Sequence, residues 1–386
     1  MSLIGLAMRL SRPGPMVALA RTVYGKAYRD MDKKKDYYDY KNKTYPLWYS
    51  MLFDSTTSRF DENTKLIVVD GPVASGKTEF AKKLAEELDM YHIEDAHMDL
   101  RYINPYGYDM RQLDPQLPES VRSYDDKNFC RDPFHMNAAA YQFWMYRLRY
   151  SLYVDALAHV LSTGQGVIIE RSPWSDMVFV EAMTKNGYMS KEAKSVYNVV
   201  KKSTIIQLMM PHLVIYLDMP VSKVKENIVM RGRDHEVNSK ALTDDYLLDI
   251  EQEYKCTYLP EISTHAELLV YDWSEGGDVE AVVEDIERID FDRYTKYDKK
   301  LIDWKKPKEN IWAEFRRRYA DQKDELMEQF DIPLFDAPEL LAPGEDVKVW
   351  TEVWYSAPGM EYKQGYNIHK GESILFNTRE DKYVPY

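Results

Sequence analysis

The octapeptide Gly71-Pro-Val-Ala-Ser-Gly76-Lys77-Thr78 leaves this chain few folds to choose from. It follows the apolar run Lys65–Asp70 (KLIVVD) and precedes a segment in which Phe80, Leu84 and Leu88 recur every fourth residue. The first reads as a buried strand, the second as a helix from Lys77 to about Asp89. The octapeptide satisfies GxxxxGK[ST] in full and stands where its mechanism requires, between strand and helix. Gly71 and Gly76 permit backbone conformations that turn the N–H groups of the loop, Ala74 and Ser75 included, around a phosphate. The dipole of the helix that starts there favours the same anion. Lys77 adds a charge for terminal phosphates, and Thr78 offers a hydroxyl to Mg²⁺, which takes hard oxygen ligands.

The strand-then-helix rhythm returns three times. Gly166–Glu170 (GVIIE) precedes a helix from about Asp176, Leu213–Asp218 (LVIYLD) precedes Val221–Arg231, and Leu268–Asp272 (LLVYD) precedes Val279–Ile289. Continuous apolar strands separated by amphipathic helices mean a parallel sheet covered on both faces. With a short strand at Tyr91–Ile93 the expectation is an α/β fold, a five-stranded parallel sheet of the phosphate-loop NTPase type. Two long helices fill the gaps: Ala138–Leu161, stopped by Gly164, and Lys191–Met210, stopped by Pro211.

Four segments fall outside this rhythm. Residues 1–29 carry five basic side chains (Arg9, Arg12, Arg21, Lys26, Arg29), no acidic one and interleaved leucines, the chemistry of a mitochondrial transit peptide. Residues 30–64 form an N-terminal extension whose part Tyr45–Phe53 is aromatic enough to pack on something. Met98–Asn137, loaded with Tyr, Asp and Pro, reads as a long loop, and such loops are usually functional or disordered. Residues 293–386, after the alternating body 65–292, hold Trp304, Trp312, Trp350 and Trp354 with short helical pieces such as Glu309–Phe330, an aromatic extension that wraps over a surface. It is expected to dock on the chain's own body, on a partner, or on both.

Composition excludes several classes. A net charge of −13 argues against a nucleic-acid binder working through a broad basic face. Cys130 and Cys256 sit in no metal or disulfide pattern. No run approaches the roughly 18 apolar residues of a membrane span, so membrane attachment would pass through a partner.

Glu170-Arg171-Ser172 directly follows the GVIIE strand, which puts a carboxylate and a guanidinium at the carboxyl edge of the sheet, where open α/β folds bind ligands. Glu170 suits Mg²⁺ or its water; Arg171 suits a phosphate or an acidic neighbour. Arg231-Gly232-Arg233 ends a helix, and its arginines suit either a lid over a transferring phosphoryl group or a solvated helix end.

Together, GPVASGKT, Glu94 after the second strand, Gln142 on a long aromatic helix, ERS at 170–172 and RGR at 231–233 resemble the deoxynucleoside kinase family over roughly 65–292. The resemblance implies that Glu94 is the carboxylate taking a proton from the nucleoside 5′-hydroxyl and that Gln142 reads the base edge. It likewise makes Glu170 the metal-linked acid, Arg171 the substrate-positioning arginine, and Arg231 with Arg233 the lid. One departure stands out: active kinases place the base in a Glu-Pro segment with a Trp shortly after, whereas Glu94 is followed by Asp95-Ala-His97-Met98-Asp99.

The stretches YINPYGYDMRQLDPQLP, HVLSTGQGVIIERSPWSD, STHAELLVYDW and VVEDIERIDFD are similar to one branch in particular, the kinase-like accessory subunit of mitochondrial complex I (NADH:ubiquinone oxidoreductase). That resemblance implies a non-redox subunit on the matrix side of the inner membrane, supporting assembly among other complex I subunits. It also implies a purine nucleotide (ATP, ADP or a deoxynucleotide) held with Mg²⁺, and membrane contact only through the complex. The alternative is an active ATP-dependent mitochondrial deoxynucleoside kinase. FAD is attributed to the branch, yet this sequence carries no GxGxxG turn to hold one.

Overall fold

The computed structural model describes residues 23–26 and 37–376. The expected transit segment therefore lies, but for residues 23–26, outside the described residues. Five strands, β1 Leu66–Asp70, β2 Tyr91–Ile93, β3 Val167–Glu170, β4 Leu213–Asp218 and β5 Glu267–Asp272, form one sheet in the order β2-β3-β1-β4-β5. Every pairing is parallel, with Val68 opposite Ile169 on one side and Val214 on the other.

Helices of nine residues or more are α1 Lys77–Leu88, α2 Ala138–Thr163, α3 Met177–Lys185, α4 Lys191–Ile205, α5 Val221–Arg231, α6 Asp244–Glu253, α7 Val279–Glu287, α8 Glu309–Asp321 and α9 Gly344–Tyr355. Strand side chains alternate between faces, so each central strand must be apolar throughout to serve two cores. Ile67 and Val69 meet Phe80, Leu84 and Leu88 of α1, Ile228 of α5 and Ile286 of α7. Leu66 and Val68 meet α2, α3 and α4 in the larger core. Among the described residues no helix is long and apolar enough to cross a membrane. Both cysteines are free, Cys130 buried and Cys256 exposed.

Three expectations change. The helix that starts at Lys191 ends at Ile205 rather than Met210. The N–H groups that would have continued it turn elsewhere, Gln207 N–H to Thr204 O at 3.0 Å and Leu208 N–H to Ile205 O at 3.2 Å in a tightened turn, and Met210 N–H to Asp303 at 3.0 Å. The carbonyls of Gln207, Met209 and Met210 then accept from Tyr319, Tyr153 and Trp304 at 2.8, 2.8 and 2.7 Å. The piece Glu309–Phe330 is broken after Asp321, where Gln322 leaves helical geometry and Lys323 turns to Asp155, 2.8 Å away. The segment Met98–Asn137 is a succession of short helices, not a structureless loop. Arg111 ties it together by pairing with Asp99 (2.7 Å), Asp109 (2.9 Å) and Asp125 (3.2 Å).

That inserted segment and the C-terminal extension supply each other's core. Met110, Leu113 and Leu117 pack with Ala357, Trp350 and Trp354. Trp304 lies over His212 with ring centres 3.9 Å apart, and Trp312 meets Phe60 edge-on. All four tryptophans of the extension thus pack on the chain's own body, Trp312 buried and Trp304, Trp350 and Trp354 partly so. The N-terminal extension joins in through Arg316 of α8, which is fully buried, bonded to Asp54 at 3.0 Å and stacked 3.6 Å over the Tyr45 ring. Trp48 and Phe53 of the same extension are instead 60% and 72% exposed.

Candidate functional site

The turn between β1 and α1 is shaped by contacts that leave it little freedom. A Cβ on Gly71 would sit 3.1 Å from the Leu217 carbonyl of β4 and 3.1 Å from the Ser75 hydroxyl, so any side chain there would have to push the loop off β4 by a few tenths of an ångström. Gly76 enters α1 with φ +78°, a left-handed conformation natural to glycine. Ala74 adopts φ +56° without that excuse, and Asn227 of α5 holds its carbonyl at 3.1 Å. The Ser75 hydroxyl is buried and has no partner among the described residues. Burial, reinforced by the charge of Arg171, pushes the Lys77 ammonium down to about 8. An oxyanion in the loop would reverse both effects, so hydroxyl and lysine fit a phosphate.

Below the loop, Glu170 at the end of β3 is buried, accepting the Thr78 hydroxyl at 2.6 Å and facing His92 Nε2 at 3.0 Å. The two oxygen donors expected for Mg²⁺ therefore touch. Such a pair fits an ion that takes one or two protein oxygens and completes its shell with waters and phosphates. Arg171 follows with φ +59°, backbone strain of about 1–3 kcal/mol that aims its side chain back under the loop, where Nη2 donates to Gly71 O at 3.1 Å.

Asp95, one residue past Glu94, links the arginines of the pocket. It accepts from Arg171 Nη1 and, at 3.2 Å, from Arg149 Nε. Burial alone would raise its carboxyl, but Arg149, Arg171 and Lys77 outweigh that and hold it well below the usual carboxylate range. Arg149 also reaches Asp176, which receives Gln142 Nε2 at 3.0 Å and the Tyr197 hydroxyl at 2.6 Å. Asp70, ahead of the loop, is wholly buried and receives Tyr254 and Tyr258 at 3.2 and 2.9 Å, hydroxyls delivered by a π-helical turn after α6.

One cavity of about 360 Å³ gathers most of the expected site: Ala74, Lys77, Thr78, Glu94, Gln142, Glu170, Arg171, Arg231 and Arg233 all line it. Glu94 stands at its rim, half-exposed and paired with Lys82 at 2.5 Å, a bond that lowers its carboxyl. Arg231 and Arg233 stand at the mouth, both near Glu236, at 3.6 and 3.1 Å. Gly71, Ser75 and Gly76 do not line this cavity; Ser75 and Gly76 face a second one of about 310 Å³, between α5 and Trp273–Gly276.

Asp95, Arg149 and Asp176 were missed in the sequence. Arg149 lies seven residues after Gln142, two helical turns on and so on the same face of α2, and Asp176 opens α3 six residues after Glu170. Asp95 carries no such spacing signal. As a whole the site can cradle a polyphosphate with backbone amides and Lys77, hold Mg²⁺ between Thr78 and Glu170, and cover the anion with two arginines. Beside that cradle, the pocket under α2 has its guanidinium groups already bridged by a carboxylate.

Comparison with known proteins gives the following. A family model described as deoxynucleoside kinase matches residues 67–307. The chain is similar to NADH dehydrogenase [ubiquinone] 1 alpha subcomplex subunit 10, mitochondrial, of Bos taurus, 37% identical over 86% of this chain and 92% of that protein. The Mus musculus counterpart is also 37% identical, over 86% of this chain and 89% of its own length. A deoxyguanosine kinase of Dictyostelium discoideum is 26% identical over 61% of this chain and 74% of that enzyme.

Proposed function

The chain belongs to the deoxynucleoside kinase family, in the branch of NADH dehydrogenase [ubiquinone] 1 alpha subcomplex subunit 10, and on that premise we propose that it is a non-redox accessory subunit of mitochondrial complex I that keeps a purine nucleotide in its phosphate loop as a structural ligand. The observation that carries this reading is the contrast between the two halves of the site. The loop has its lysine, its threonine and an unpartnered buried hydroxyl, whereas the arginines of the acceptor side are held by Asp95. Such a site favours holding a nucleotide over passing its phosphate on. In this reading Mg²⁺ sits between Thr78 and Glu170, and the base of the nucleotide enters the cavity beside Trp273. The place of work is the matrix side of the inner membrane, the partners are other subunits of the complex, and residues 30–64 and 293–386 are extensions of a kinase-like body spanning 65–292.

Sedimentation of detergent-solubilised mitochondria tests the subunit reading. The chain is expected in the fractions that oxidise NADH; recovery only at the mass of a free monomer overturns the reading.

A second reading, an active ATP-dependent deoxynucleoside kinase, is favoured by one observation: Lys77, Thr78, Glu94, Glu170, Arg171, Arg231 and Arg233 share one cavity. Phosphoryl transfer asks mainly for positioning and charge stabilisation, which such a set supplies. Turnover by the purified chain with any deoxynucleoside, abolished by Lys77→Ala, would establish it; no turnover above that variant's is expected.

A further inference from the structure

A third cavity, of about 280 Å³, lies away from the phosphate loop, walled by the inserted segment, the first turns of α2 and the C-terminal extension. Its volume is near the lower end of small-molecule sites, roughly 300–1,000 Å³. Arg101 gives it its character. The guanidinium lies flat on the Trp144 ring, 3.2 Å from the centroid, with Nε and Nη1 buried and without a hydrogen-bond partner among the described residues. Burial pulls it down to about 10, countered in part by the neighbouring Tyr102 hydroxyl and, among the described residues, by no carboxylate.

Arg122 shares the wall, with Nε donating to Leu117 O at 2.8 Å and no ion pair among the described residues. Glu339 is the sole carboxylate in the lining, and it is turned away, accepting from the Ser190 backbone N–H at 3.1 Å and hydroxyl at 2.9 Å. Stacking on an indole recovers part of the cost of a desolvated guanidinium, but the two buried nitrogens Nε and Nη1 still call for an acceptor. The rest of the wall is aromatic, with Tyr141 and Trp350 on opposite elements, and such walls accept a flat apolar body.

We propose that this cavity is a binding site for a small organic anion, an oxyanion head on a flat ring, gripped by Arg101 and Arg122 and clasped between the inserted segment and the C-terminal extension. The head is a carboxylate or a phosphate ester; the two chemistries share the same guanidinium recognition and differ in the body they carry.

The test is a titration of the full chain carrying Lys77→Ala, which weakens the phosphate loop, followed by calorimetry and tryptophan fluorescence. The probes are benzoate, adenosine monophosphate and inorganic phosphate. Saturable binding of benzoate or of adenosine monophosphate is expected, weakened at least about tenfold by Arg101→Gln and by Ala140→Leu, which fills the cavity. Which ring-bearing probe binds identifies the head. Should Arg101→Gln fail to fold, Ala140→Leu keeps the guanidinium in place and decides alone. Binding of neither ring-bearing probe, binding untouched by the cavity substitutions, or inorganic phosphate binding as well as the ring-bearing anions would overturn the proposal.

Discussion

Asp95 and Lys77 line one pocket with opposite electrostatic signatures, and each makes a measurable prediction. The Asp95 carboxyl is held low by Arg149, Arg171 and Lys77 against the pull of burial. A carboxyl lower in the folded state than in the unfolded one stabilises the fold above about pH 4, and that contribution is lost as pH falls further. Asp95→Asn should therefore cost about 3 kcal/mol at neutral pH and flatten the dependence of stability on pH between about 5 and 3. Urea denaturation at a series of pH values checks both. Lys77, pushed down to about 8, behaves inversely: its folded state resists protonation, and a bound phosphate restores the proton. Nucleotide binding near about pH 8.5 should then take up protons, and near about pH 6.5 it should not. Calorimetry in buffers of different ionisation enthalpy reads this directly, and Lys77→Ala should abolish it.

β2, β4 and α5 fall on their expected residues, and β1, β3 and β5 within one residue at one end. For the central strands β1, β3 and β4 the reason is continuous burial, since a strand serving two cores admits no polar interruption. The partly exposed edge strands β2 and β5 were instead legible from their place in the strand-then-helix rhythm. What escaped the sequence is set by distant partners. Nothing near Ile205 announces that Tyr153, Trp304 and Tyr319 will take the next carbonyls. Nor does Met98–Asn137 show that its apolar residues wait for Trp350 and Trp354. The helix α6 was legible, with Thr243 as its cap and Tyr246, Ile250 and Tyr254 four apart, but it lacks the preceding strand that drew attention to the others. In the candidate site, residues on the loop motif and at strand ends were readable from position, while Asp95 became visible only through the arginines it binds. Arg111 is the knot of the inserted segment. Arg111→Ala should loosen it by about 1 kcal/mol, roughly fivefold in local opening, seen as faster proteolysis within residues 99–137 and little change in the global unfolding midpoint.

At the scale of the molecule, the extensions are parts of one packed body. Arg316→Ala should cost about 3 kcal/mol, since it strips a fully buried cation from Asp54 and from the Tyr45 ring and so frees the N-terminal extension from α8. Chemical denaturation checks the loss. Among the described residues, the apolar side chains that the body leaves exposed include Trp48 and Phe53 in the N-terminal extension and Leu375 and Phe376 in the C-terminal one. In the proposed function a phosphoryl-transfer scaffold serves to hold a nucleotide inside a larger assembly. Mass spectrometry of small molecules released from the natively purified, chain-containing assembly tests it most directly. One purine nucleotide per chain, lost on Lys77→Ala, is the predicted result; an assembly that releases no nucleotide would contradict it.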